Sequence, residues 1–172
     1  MAHLNDSSAG APSLVRSRRP VVAGFLLGLG LGGFFDGIVF HQILQWHHLV
    51  CRTETCHPTS VADLQQKNFL DGLFHAACWV LSVAGMVTLA AAGRTPFRAR
   101  TVVGTAVLGW GVFNLVEGLI NHQMLGIHHV RPGPDQFAWD MGFLAWGAAM
   151  VVVGWWVARR STGPVGGEFQ RR

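Results

Sequence analysis

Charge is scarce in this chain: only 13% of its 172 residues are Asp, Glu, Lys or Arg, while half are hydrophobic and the mean hydropathy is +0.33. Four long stretches, residues 20–46, 68–93, 101–126 and 137–158, contain no Lys or Arg. That lack excludes the solvated surface of a soluble globular domain, and it leaves no basic side chain to neutralise an acid within the stretches. Each stretch has the roughly 20 residues that a helix rising about 1.5 Å per residue needs to cross about 30 Å of hydrocarbon. An alternating apolar and polar pattern is missing as well, which excludes a β-barrel. Proline is missing from the interiors: apart from Pro20 at the opening edge of the first stretch, every proline lies outside them, so the helices run uninterrupted. The first stretch also lacks a small-residue cleavage site at its end and is too long for a signal peptide, so it belongs to the mature structure. The fold class expected is all-α, a four-transmembrane-helix bundle.

The basic residues that remain are unevenly placed. Arg16, Arg18 and Arg19 precede the first span, Arg94, Arg98 and Arg100 join spans two and three, and Arg159, Arg160, Arg171 and Arg172 follow the fourth. The other two loops hold only Arg52, Lys67 and Arg131. Ten against three places both termini in the cytoplasm of a multi-pass inner-membrane protein. Topology thus accounts for the net charge of +4 and the pI near 9.8, and no nucleic-acid partner is implied; the partner is the lipid bilayer. Residues 1–19 and 159–172 are read as cytoplasmic tails, the first disordered.

What the chain does contain is written twice. The run Asp36-Gly37-Ile38-Val39-Phe40-His41-Gln42-Ile43-Leu44-Gln45-Trp46-His47-His48 returns 81 positions later as Glu117-Gly118-Leu119-Ile120-Asn121-His122-Gln123-Met124-Leu125-Gly126-Ile127-His128-His129. The helical positions before it, Leu27-Gly28-Leu29-Gly30 and Leu108-Gly109-Trp110-Gly111, keep the same offset. The bundle is therefore expected to consist of two duplicated helical hairpins. Each has an outgoing helix with the acid and His motif and a returning helix that opens on an Asp, Asp71 or Asp140, and the first external loop is about a dozen residues longer.

Depth draws the polar residues into one layer. Asp36 and Glu117 each lie roughly 24 Å along their helices from the cytoplasmic edge, with His41 and His122 near the outer boundary and the pairs His47-His48 and His128-His129 just beyond. Asp71, His75 and Asp140 enter from outside. Four unpaired carboxylates at this level would cost of the order of 10 kcal/mol on insertion scales, so protons, histidinium or metal cations must offset them. Imidazole with carboxylate suits zinc, iron, manganese or copper(II). The expected metal site has Asp36, His41, Asp71, His75, Glu117, His122 and Asp140 as inner groups, with His47, His48, His128 and His129 lining its entrance or adding ligands.

One detail resists this reading. Asp36 and His41, like Glu117 and His122, are five residues apart, about 140° around an ideal α-helix, so one ion reaches both only through a bulge or across a wide site. Gly37 and Gly118, directly after the acids, permit a bulge; close helix packing explains them equally well. Cys78 is read as a small buried hydrophobe and the tryptophans as belt and packing residues. Cys51 and Cys56 face the oxidising side, which favours a disulfide, with metal binding through Cys51, Cys56 and His57 as the alternative.

The runs Phe35-Asp36-Gly37-Ile38-Val39-Phe40-His41-Gln42, Asp71-Gly72-Leu73-Phe74-His75 and Asn114-Leu115-Val116-Glu117-Gly118-Leu119-Ile120-Asn121-His122, with Gly126-Ile127-His128-His129-Val130-Arg131-Pro132-Gly133, resemble a bacterial family of four-span membrane proteins catalogued as a domain of unknown function. The resemblance covers nearly all of residues 21–157. It implies a fold and a location and carries no assigned activity; it associates such proteins with respiratory oxidase and copper-handling neighbourhoods. The leading expectation is a membrane protein with a copper, iron or zinc site near the outer leaflet, serving redox chemistry or metal handling, and whether it is an enzyme stays open. Two alternatives stand beside it: a b-type haem held by His41 and His122, and a proton or cation carrier using the acid and His cluster as a relay.

Overall fold

A computed structural model describes residues 18–51, 56–93 and 97–160. It contains four helices long and apolar enough to cross a membrane, and no strand among the described residues. Helix α1 (Arg19–Asp36) continues into a π-helical segment, π1 (Gly37–Ile43). Helix α2 (Val61–Ala90) returns, α3 (Ala99–Glu117) continues into π2 (Gly118–Met124), and α4 (Gln136–Arg159) closes the bundle. In space the order is α2, α1, α3, α4, so the two helices that carry the repeated motif lie side by side at the centre.

The main departure from the expected spans is at α2, which begins seven residues before residue 68. Its first two turns are polar and invisible to hydropathy, yet Ser60 caps them by accepting from the Asp63 amide at 3.1 Å, and Lys67 pairs with Asp63 at 3.0 Å. Spans one and three leave the helix at Ile43 and Met124, earlier than residues 46 and 126. The tails expected at 1–19 and 159–172 fall almost wholly outside the described residues.

The interior is small-residued and polar while the outside is apolar, as a bilayer demands. Leu31, Phe69, Trp79, Val80, Val103, Trp146 and Val152 face outward, where lipid replaces water and no hydrophobic force draws helix to helix. Association must come from close backbone approach. A methyl at Gly28 would fall onto the carbonyl of Ala106 on α3, and one at Gly109 onto the carbonyl of Phe25 on α1. These are the same contact repeated at an offset of 81 residues. The outer helices follow suit: Gly85 packs on Leu27 and Gly154 on Leu108. Gly28→Ala or Gly109→Ala, which pushes against backbone and not a mobile side-chain end, should destabilise the protein by about 1–3 kcal/mol, seen as an earlier thermal transition in detergent.

Candidate metal centre

The most deeply sealed large side chains of the molecule are polar: His41, His47, His128, Asp71 and Asp140. They sit at one end of the bundle, where α1 and α3 change winding. In an α-helix Asp36 and His41 would diverge, but an i→i+5 turn stacks residues five apart, and π1 and π2 begin at Gly37 and Gly118, directly after the acids. The Leu44 amide donates to the Val39 carbonyl and the Leu125 amide to the Ile120 carbonyl, both at 2.8 Å. Both glycines also admit a close neighbour, Gly37 the ring of His75 and Gly118 the side chain of Leu144. Winding thereby brings His41 Nε2 to 3.2 Å from Asp36 Oδ2, and His122 Nε2 to 3.2 Å from Glu117 Oε1.

The next turn folds the chain inward. Gln45 and Gly126, at equivalent positions, adopt left-handed backbone with φ of 51° and 55°. This reversal sends His47 and His128 back into the bundle instead of outward. His47 Nε2 comes to 4.0 Å from Asp36 Oδ2, and His128 Nε2 to 2.6 Å from Glu117 Oε1. Two triads result, Asp36·His41·His47 and Glu117·His122·His128, each wholly buried with its three candidate ligand atoms within 4.8 Å of one another. Since nothing surrounds the Cβ position of Gly126, Gly126→Ala should cost only the backbone penalty, about 1 kcal/mol, and Gln45→Gly should gain a similar amount. Paired thermal melts check both signs.

Asp71 and Asp140 stand behind the triads. Asp71 accepts from His41 Nδ1 at 3.0 Å, His48 Nδ1 at 2.8 Å, Gln42 Nε2 at 3.2 Å and the Leu49 amide at 2.8 Å. Asp140 accepts from His129 Nδ1 at 2.6 Å, the Val130 amide at 3.0 Å and Gln123 Nε2 at 3.4 Å, and lies 3.4 Å from His122 Nδ1. The remaining two inner histidines are fixed across the centre: His47 Nδ1 donates to the Val130 carbonyl at 2.8 Å, and His128 Nδ1 to the Leu49 carbonyl at 3.0 Å. Their rings stack at 4.7 Å between centroids with planes 8° apart, joining one triad to the other.

These bonds fix the tautomers. A carbonyl oxygen only accepts, and an ionised carboxylate only accepts, so Nδ1 of His41, His47 and His128 carries hydrogen, while His122 Nδ1 lies 3.4 Å from Asp140 without a hydrogen bond. In neutral imidazole Nε2 then presents a lone pair, and each Nε2 faces a carboxylate oxygen. Acceptor meets acceptor at Asp36, against His41 and His47, while His128 Nε2 is within hydrogen-bond distance of Glu117 Oε1 at 2.6 Å and shares a cation with it. Nε2 of His41, His47 and His75, both ring nitrogens of His122, both oxygens of Asp36 and Glu117 Oε2 have no hydrogen-bond partner. Such an arrangement is stable only with a cation at the meeting point, either a proton or a metal. At His47 burial holds the imidazole below its ordinary pKa, and the adjacent His128 and His41 push the same way against the pull of Asp36.

The structure thus distributes the sequence-derived residues differently from their expected roles. His47 and His128, expected to line the entrance or add ligands, stand in the triads. Asp71 and Asp140, expected among the inner groups, orient imidazoles from behind, as do the carboxylates that back metal-bound histidines. His48 and His129 stay at the outer edge, with side chains 8% and 29% exposed. His75 enters neither triad: it lies against Gly37 with its ring near Phe34 and Phe74, and Leu144 takes its place in the other half. Gln42 and Gln123 are the additions; both stand inside the repeated motif, and their recurrence beside His was the available signal. Cys51 and Cys56 are bonded with Cα atoms 5.2 Å apart, His57 is exposed, and Cys78 is buried and unpaired.

No curated protein and no solved structure matches the chain significantly. A family model described as a predicted membrane protein (DUF2243) matches residues 23–161, which takes in all four spans and every residue of both triads, and the chain belongs to that family.

Proposed function

We propose that this protein is a membrane metalloprotein with a two-ion centre near the outer face of the bilayer. One divalent transition-metal ion is held by Asp36, His41 and His47, the other by Glu117, His122 and His128. The observation that carries this reading is two buried triads in which four imidazole Nε2 atoms face two carboxylates, with Nδ1 of His41, His47 and His128 committed elsewhere. Two neutral imidazoles and one carboxylate per ion suit iron, zinc or copper and leave coordination positions open. Charge supports the count of two: among the described residues Asp36, Asp71, Glu117 and Asp140 are the buried acids, and their four negative charges balance two divalent ions. The stacking of His47 on His128 speaks against a proton on both of those rings, because two imidazoliums in parallel contact repel.

The sealed ligands favour a resident centre over metal delivery, which needs exchangeable ones. Redox or small-ligand chemistry linked to respiration is the role such a centre fits. Haem between His41 and His122 is disfavoured, because the rings of His47 and His128 stand between them and both Nε2 atoms face their own acids. A relay toward the opposite face is disfavoured because the hydroxyls of Ser82, Thr88 and Thr105 bond back to carbonyls of their own helices. The arginine distribution supports a centre on the periplasmic side of an inner membrane.

The test is to purify the chain in mild detergent, strip it with a chelator and titrate it with ferrous iron or cobalt(II), counting bound metal. Two ions per chain without a Soret band are expected. Retention of no metal, or a Soret band in the purified protein, would overturn the reading.

A further inference from the structure

The geometry points to a substrate class for this centre: its open positions take a neutral molecule of two or three atoms, of the dioxygen or nitric oxide kind, and exclude anions and organic substrates. The inference rests on the two-ion reading above. Size is the first argument. The six ligand side chains belong to residues between 0% and 6% exposed, so only a very small molecule reaches the ions without opening the bundle.

Charge is the second. Four buried carboxylates already balance two divalent ions, and Asp36 and Glu117 are close enough to act on each other electrostatically. An incoming anion would leave the layer with uncompensated charge where that is most costly. Asp36 Oδ1 and Glu117 Oε2, buried acceptors without donors, repel an anion further and suit a coordinated water or another neutral donor. A neutral diatomic meets neither penalty, and it also dissolves in the lipid around the spans.

The two ends of the centre differ in access. His129 is 29% exposed at its side chain while its counterpart His48 is 8% exposed. On the His48 side the Cys51 amide donates to the Ile127 carbonyl at 2.7 Å. The centre is thus less covered on the His129 side.

The experiment uses the whole protein, loaded anaerobically with ferrous iron, counted for bound iron and then exposed to nitric oxide. The quartet-spin iron–nitrosyl signal in electron paramagnetic resonance should account for most of the bound iron. Azide or phosphate in about hundredfold excess over nitric oxide should leave its yield unchanged. The double variant Asp36→Asn/Glu117→Gln, treated alike, should give no signal, which excludes iron bound adventitiously. Bound iron without a nitrosyl signal, or a yield that azide or phosphate halves, would overturn the inference while leaving the two-ion centre standing. Failure to bind iron at all would overturn the centre itself.

Discussion

Asp36→Asn should leave the protein with one tightly bound metal ion in place of two, and Glu117→Gln should do the same at the other triad. Removing the only carboxylate of a three-ligand set should weaken its ion by at least the roughly 100-fold that loss of an outer-shell partner can reach. The stability change should depend on metal, and its sign should reverse. With free metal at about 100 times Kd each ion contributes about 2.7 kcal/mol, so each variant should unfold earlier than the parent in metal-containing buffer. In chelator the order should invert. There Asp36 confronts His41 and His47 acceptor to acceptor, and an amide can turn a donor toward one of them, so the apo variant should equal or exceed the apo parent. Thermal unfolding of parent and variant, with and without chelator, reads both signs; a variant less stable than the parent under both conditions would assign the acids a packing role.

Asp71→Asn should behave differently in chelator, and Asp140→Asn likewise. Asp71 accepts from four donors, His41, His48, Gln42 and the Leu49 amide, whereas an amide offers one oxygen and adds two hydrogens facing other donors. Each buried donor left without a partner costs about 1–3 kcal/mol, so the apo protein itself should lose stability. Leu49 also holds His128 through its carbonyl at 3.0 Å, and freeing the segment loosens a ligand of the other triad. Affinity for the Asp36 ion should fall about 10- to 100-fold, with a smaller loss at the Glu117 ion. Metal titration and chelator melts on one preparation separate these variants from Asp36→Asn: both lose metal, and only the Asp71 and Asp140 variants lose apo stability.

Much of this was legible because lipid imposes simple rules. Four spans free of Lys and Arg fixed the fold class, and the repeated motif named both acids and the first histidine of each triad. The five-residue spacing that fits no α-helix, followed each time by glycine, announced the change of winding at Gly37 and Gly118. Depth along a helix was readable but direction was not, so Asp71 and Asp140 were grouped with the triads although they stand behind them. The inward return of His47 and His128 depends on left-handed backbone at Gln45 and Gly126, and a glutamine gives no hint of it. His75 lies on the same face as Asp71, one turn on, and that turn carries it to the flank of Gly37. The early start of α2 was hidden because its polar first turns depend on the Ser60 cap and the Asp63–Lys67 pair and not on hydropathy.

The measurement closest to the central claim is anomalous diffraction from crystals of the metal-loaded protein, collected at the absorption edge of the loaded metal. The account predicts two peaks per chain, one bonded to Nε2 of His41 and His47 with Asp36, the other to Nε2 of His122 and His128 with Glu117, while Nδ1 of His41, His47 and His128 keeps its bond to Asp71, Val130 and Leu49. A single peak elsewhere, ions bound through Nδ1, or no peak in either triad from protein that carries metal in solution would contradict it.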